Sequence, residues 1–128
     1  MSAPLSEDLR AFFEEKIDSV ELLHVLILLQ DRSGEVWTLR KISDELRSSE
    51  SSVEKRVFAL RDRGVLSRDA LAGAEVRFLP PDPEMGRRIA DAVTYYRAYP
   101  YRVVDLIFSK RTDSIRSIAD AFRFRKEE

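Results

Sequence analysis

The densest set of hydrogen-bonding side chains on a regular spacing falls between Leu39 and Leu79, in LRKISDELRSSESSVEKRVFALRDRGVLSRDALAGAEVRFL. Val53, Val57 and Leu60 stand at i, i+4 and i+7, which aligns them on one helical stripe. With that stripe turned inward and about 100° per residue, the outward face holds Ser51, Ser52, Lys55, Ala59 and Asp62, flanked by Arg56 and Arg63. Hydroxyls at Ser51 and Ser52 can bond base edges or phosphates, and Lys55 and Arg56 can reach guanine acceptors or a sugar-phosphate backbone. Catalytic chemistry finds no comparable set. There is no Gly-rich phosphate loop, one histidine (His24) and no cysteine, so no nucleophile has a plausible base and no enzyme is expected. Asp44 with Glu45, and Asp18 with Glu21, read as solvated or capping acids. His24 reads as a buried, hydrogen-bonded or interface histidine, since no partner ligands accompany it, and neither metal nor cofactor is expected.

These donors need elements to hold them. Ile42 and Leu46, one turn apart, give a first short helix an apolar face, and the cluster Ser48, Ser49, Ser51 and Ser52 interrupts it, as hydroxyls compete for backbone donors and suit caps and turns. The helix with Val53, Val57 and Leu60 follows, and Gly64 ends it. Val65 to Asp69 and Glu75 to Leu79 are β-prone runs joined by Ala70 to Ala74, which predicts a hairpin. This segment resembles the winged helix-turn-helix of bacterial transcription regulators of the multiple-antibiotic-resistance (MarR-like) type. The matching positions are Ile42 and Leu46 in the supporting helix, Ser49 at the turn, Val53, Val57 and Leu60 in the recognition helix, and Arg61-Asp62-Arg63-Gly64-Val65-Leu66 at the entry to the wing. The motif covers about a third of the chain, or about two thirds if Val20 to Gln30 is the family's preceding helix. The resemblance implies sequence-specific binding of double-stranded DNA, with the start of the second helix in the major groove. It makes Ser49, Ser51, Ser52, Lys55, Arg56 and Arg63 candidates on the recognition helix, Thr38, Arg40 and Lys41 candidates for phosphate contact, and Arg68 and Arg77 candidates on the wing. The wing tip departs from the family, having no cation at Ala70 to Ala74.

The rest of the chain supplies surfaces around this unit. Leu5, Leu9, Phe12, Phe13 and Ile17 form an amphipathic stripe over a predicted helix 6–16, with Ser6 as cap, a stripe that either packs onto the chain's own core or makes a dimer contact. Val20 to Leu29 is apolar nearly all round, which marks a central helix covered on several sides. Asp18 and Glu21 have capping-box spacing there, with Ser19 an alternative cap. Glu35 to Trp37 is read as a short strand on the hairpin, with Trp37 in the core or a hinge and Thr38 capping the next helix. After Pro80, Pro81 and Pro83, with Asp82 as cap, a helix is predicted from Pro83 to Ala98. Val103 to Phe108 imply a further buried helix, and Asp113 caps a last one carrying Ile115, Ile118, Ala119 and Phe122. The expected fold is mainly α with a small sheet (α+β): an N-terminal helix over 1–18, a winged helix-turn-helix with its β-hairpin wing over 19–80, and a helical extension over 81–128.

Helices outside the winged unit in the resembling regulators commonly make a dimer. Leu5, Leu9, Phe12, Phe13, Ile115, Ile118 and Phe122 are the expected contacts of a homodimer reading a pseudo-palindrome. The competing reading is a winged-helix protein-interaction or assembly adaptor that uses Phe58, the apolar wing tip and the aromatic C-terminal segment. Tyr95, Tyr96, Tyr99, Tyr101, Phe122 and Phe124 alternate with arginines there, read as core or interface rings rather than a stack for single-stranded bases. Composition sets the outer limits. The 128 residues suit one domain with extensions, and the net charge of −1 argues against indiscriminate polyanion binding. Residues 1–35 hold three Lys/Arg against eight acids, whereas 36–80 hold nine against seven and 81–128 ten against eight. The acidic bias therefore precedes the candidate interface. No run approaches the about 18 apolar residues of a membrane span, and no secretory signal is expected in MSAPLSEDLR. Zero cysteines exclude disulfides and thiolate metal sites, and fit a reducing, cytoplasmic setting. A small apolar effector has room between winged unit and outer helices, but no residue identifies one.

Overall fold

The computed structural model describes residues 5–109. Local caps set most of the helix starts. Ser6, Ser19, Thr38, Ser49 and Asp82 each sit in extended backbone and accept a hydrogen bond from the amide three residues on. They open α1 (Glu7–Lys16), α2 (Val20–Asp31), α3 (Leu39–Leu46), α4 (Glu50–Asp62) and α5 (Pro83–Ala98). A break at Tyr99 separates α5 from α6, helical over residues 100–109. Three two-residue strands complete the molecule: β1 (Trp37–Thr38), β2 (Leu71–Ala72) and β3 (Glu75–Val76). They pair antiparallel in the order β1-β3-β2.

The fold is thus mainly helical with a small antiparallel sheet, and the hairpin differs from its sequence expectation. Val65 to Asp69 is not a strand. Val65 and Leu66 are buried, their amides bond back to the Leu60 carbonyl at the end of α4, and Arg68–Ala70 form a 3₁₀ turn. The strand partner of β3 is instead Leu71–Ala72, with Leu71 opposite Val76 and Ala72 opposite Glu75. That register leaves a two-residue turn, Gly73-Ala74, with Gly73 at φ +61°, where a side chain is disfavoured.

One buried cluster joins all these pieces. Leu22, Leu23, Val25, Leu26 and Leu29 of α2 are completely buried, as expected of a helix apolar around most of its girth. Val53, Val57 and Leu60 of α4 face them, at most 1% exposed. Each such side chain contributes roughly 1.5–3 kcal/mol of transfer free energy. Of the two readings of the α1 stripe, Phe12 and Phe13 follow the first: they are taken up by this same core, Phe13 beside Tyr95 of α5, and not by a dimer contact. They offer no surface to a second chain. Leu5 and Leu9 pack on the core's edge, half-buried, whereas Ile115, Ile118 and Phe122 lie outside the described residues. Trp37 is buried at 4% exposure, with the Arg32 guanidinium 5.4 Å from its ring centroid. His24 is exposed rather than buried, and its Nε2 lies 3.2 Å from the Tyr96 hydroxyl.

Candidate nucleic-acid interface

The corner between α3 and α4 is built from short-range bonds. Thr38 spends its hydroxyl on capping Lys41 N at 3.1 Å. Ser43 is buried and donates to the Arg40 carbonyl at 2.7 Å. Arg47 then adopts the left-handed conformation, φ 53°, so that the Ser48 amide returns to the Ser43 carbonyl at 3.0 Å. This turn throws α4 across α3 and carries the Arg47 side chain out into solvent. Ser49 caps α4 through Ser52 N at 3.2 Å, and its hydroxyl lies 3.3 Å from that of Ser51.

Beyond the corner, the predicted set divides. Arg40 and Lys41 project from the first turn of α3, Ser51 and Lys55 from the first half of α4, and Arg68 from the 3₁₀ turn; all are exposed. Arg40, Lys41, Arg47 and Lys55 make no ion pair among the described residues. Ser52, Arg56 and Arg63, expected to face a ligand, are held instead by acids at the start of α2. Glu21 accepts from the Ser48 hydroxyl at 2.7 Å, from the Ser52 hydroxyl, and from Arg56 Nε at 2.9 Å. Asp18 accepts from Arg63 Nη2 at 2.6 Å. Arg63 also donates to the Lys16 carbonyl at 2.9 Å, while Lys16 Nζ donates to the Arg63 carbonyl at 2.8 Å. Asp18 and Glu21, read from sequence as a capping box, therefore leave capping to Ser19 and clamp α4 onto α2.

The electrostatics follow from these contacts. Hydrogen bonds from Ser52 and Ser48, with that of Arg56 and its positive charge, outweigh desolvation and hold the Glu21 carboxyl below its ordinary value. Burial pushes Asp18 upward, but the hydrogen bond and charge of Arg63, with Arg56 beyond it, prevail and hold it down as well. Both carboxylates are ionised in neutral solution and cancel two cations that sequence alone assigns to the interface.

The remaining surface is mixed in sign. Glu50, Glu54 and Asp62 are exposed on α4 beside Lys55, and Asp44 and Glu45 on α3. Arg77, directly after β3, is exposed but lies 3.3 Å from Glu75. Phe58, expected to meet another element or a protein, is half-buried under the Arg61 guanidinium, 4.9 Å from its ring centroid. Cations without an ion pair among the described residues thus lie at the start of α3, at the corner, at Lys55 of α4, at Arg68 of the 3₁₀ turn and at Arg87 of α5. Sequence reading missed Arg47, although an arginine just before a serine run that breaks a helix marks the corner. It also missed the grip of Asp18 and Glu21, for which no local signal exists. Among the described residues no cluster of acids and histidine suits a metal ion, and no helix is long and apolar enough to cross a membrane. Compared with family models, curated proteins and solved structures, the chain gives no match.

Proposed function

We propose that the chain is a winged-helix protein that binds double-stranded DNA and regulates transcription, in the manner of the bacterial regulators its motif resembles. Support for the winged unit comes from the succession α2, β1, α3, α4, β2, β3 and from the central place of β3 between the other two strands. The observation that carries the reading is the open side of α4. Ser51 and Lys55 lie uncovered on its N-terminal half, and Arg40, Lys41 and Arg47 are exposed without an ion pair on α3 and at the corner that leads into it. In this reading α4 enters the major groove with Ser51 and Lys55 toward the bases, while Arg40, Lys41 and Arg47 meet phosphates on either side. Thr38 and Ser49 act as caps, and Ser52, Arg56 and Arg63 set the angle of α4 rather than touching DNA.

Selection of bound duplexes from a random pool, followed by a salt titration on the enriched sequence, tests this. Three phosphate contacts, by Arg40, Lys41 and Arg47, give a slope of log affinity against log salt of about −2.7, from about −0.9 per phosphate neutralised. Arg40→Ala/Lys41→Ala lowers the magnitude of that slope by nearly two such steps, and Lys55→Ala relaxes the sequence preference. A second reading, the protein-interaction adaptor, is favoured by the exposed acids Glu50, Glu54 and Asp62 and by the uncharged wing tip Ala72-Gly73-Ala74. It predicts no enriched sequence and no binding tighter than about 10⁻⁴ M, the weak limit of non-specific affinity.

A further inference from the structure

A cleft of about 620 Å³ opens between the end of α2, β1 and α3, a volume in the range of small-molecule sites. Every residue that lines it falls between 32 and 47, so neither α1 nor α5 borders it. Trp37 is part of the lining and is 4% exposed, and its indole Nε1 is buried with no hydrogen-bond partner among the described residues. A buried donor left without an acceptor carries its full desolvation penalty. An acceptor that enters beside Trp37 removes that penalty.

Charge on the walls says which acceptor suits the cleft. Lys41, Asp44 and Glu45 stand at i, i+3 and i+4 and so share one face of α3, with Arg47 at the corner beyond. Lys41 and Arg47 are exposed and make no ion pair among the described residues. Arg32, by contrast, lies 3.6 Å from Glu45 and over the Trp37 ring. Two spare cations and one spare indole donor match a phosphate monoester, which carries about two negative charges and three acceptor oxygens. A carboxylate brings a single charge and two oxygens, and leaves one of these donors unmet. Glu35 and Asp44, exposed and likewise without an ion pair among the described residues, add acceptors that call for hydroxyls on the ligand's body. Val36 is the single aliphatic side chain in the lining, so an apolar body finds little to rest on.

We propose that this cleft binds a phosphorylated polyol of the sugar monophosphate class. Lys41, Arg47 and the Trp37 indole N–H hold the phosphate, and Glu35 and Asp44 accept from the hydroxyls. Lys41 and Arg47 are also phosphate contacts in the proposed duplex complex, so sugar phosphate and duplex compete for the same two cations. Binding to the cleft is measured without DNA, and failure of one reading leaves the other standing.

The chain has one tryptophan, so its indole N–H gives a single resonance in a proton–nitrogen correlation spectrum of the isotope-labelled full chain. Ribose 5-phosphate is expected to move that resonance saturably, with half-saturation at about 1 mM or below for a ligand of its size. Inorganic phosphate moves it more weakly, and ribose leaves it in place. Gluconate, a hydroxylated chain with a carboxylate head, binds at least about tenfold less tightly than ribose 5-phosphate. Lys41→Ala/Arg47→Gly weakens ribose 5-phosphate binding by about 30-fold or more with helical circular dichroism unchanged, while Arg88→Ala on α5 keeps it. Should the double variant lose helical signal, Lys41→Ala alone carries the test. No saturable movement up to about 10 mM ribose 5-phosphate overturns the proposal. So does equal affinity for gluconate, or wild-type binding by a folded Lys41→Ala/Arg47→Gly or a folded Lys41→Ala.

Discussion

Replacing Glu21 by glutamine separates the structural and electrostatic roles of the acid clamp. Its carboxylate accepts from Ser48, Ser52 and Arg56, and the Glu21 and Arg56 side chains are 26% and 31% exposed. At that exposure the ion pair is partly screened and is worth about 1 kcal/mol, with each hydroxyl bond adding a net ~0.5–1 kcal/mol. Glutamine keeps one acceptor oxygen but turns an NH₂ group toward donors, so the expected loss is about 2 kcal/mol, or roughly 8 °C in melting temperature for a chain of this size. DNA affinity should move the other way. Glu21→Gln removes a negative charge near α4 and frees Ser52 and Arg56 to meet a phosphate. Binding strengthens about three- to tenfold at low salt, and the salt slope steepens by about 0.9. Thermal melts and fluorescence anisotropy on one labelled duplex measure both. Weaker binding by a folded variant would mean that Glu21 orients α4 for the duplex instead of competing with it. An unchanged melting temperature would remove the clamp as a stabilising element.

Because Asp18 and Glu21 both titrate below their ordinary values, their contribution is complete above the unfolded carboxylate range and is lost as pH falls through the lower folded-state values. Wild-type stability should therefore drop below about pH 4.5, and Asp18→Asn/Glu21→Gln should flatten that drop, as read by denaturant midpoints against pH. Arg47→Gly should raise stability by about 0.5–1 kcal/mol, since glycine takes the left-handed corner without a Cβ clash, while losing a phosphate contact and weakening duplex binding. Unchanged binding in a more stable Arg47→Gly protein would take that arginine out of the interface. Leu26→Ala, at a fully buried site of α2, should cost about 2–5 kcal/mol in chemical denaturation.

What the sequence made legible was local. Ser6, Thr38, Ser49 and Asp82 announce helices because a cap acts within one turn, and the Val53–Leu60 stripe reports its own burial through spacing alone. The start of the hairpin was misplaced because Val65 and Leu66 are β-prone in isolation but are drawn under the end of α4 by the Leu60 carbonyl. Phe12 and Phe13 allowed two readings because an amphipathic stripe does not say whether its cover is the same chain or another. Hardest to foresee was the division of the cations. Arg56 lies 35 residues from Glu21 and Arg63 lies 45 from Asp18, and separations of that length carry no periodic trace. A helical wheel therefore counts Ser52, Arg56 and Arg63 as available, whereas tertiary packing has already used them.

The placement of the aromatic side chains gives this molecule two built-in optical reporters. Its single indole, Trp37, is sealed into β1 beside Arg32, while all four phenols, Tyr95, Tyr96, Tyr99 and Tyr101, belong to α5 and α6 or the break between them. Selective excitation of the indole follows β1, and tyrosine emission follows α5 and α6. A shared hydrophobic interior requires the two signals to change together on denaturation. Ligand titrations can likewise be watched from either region without attaching a dye.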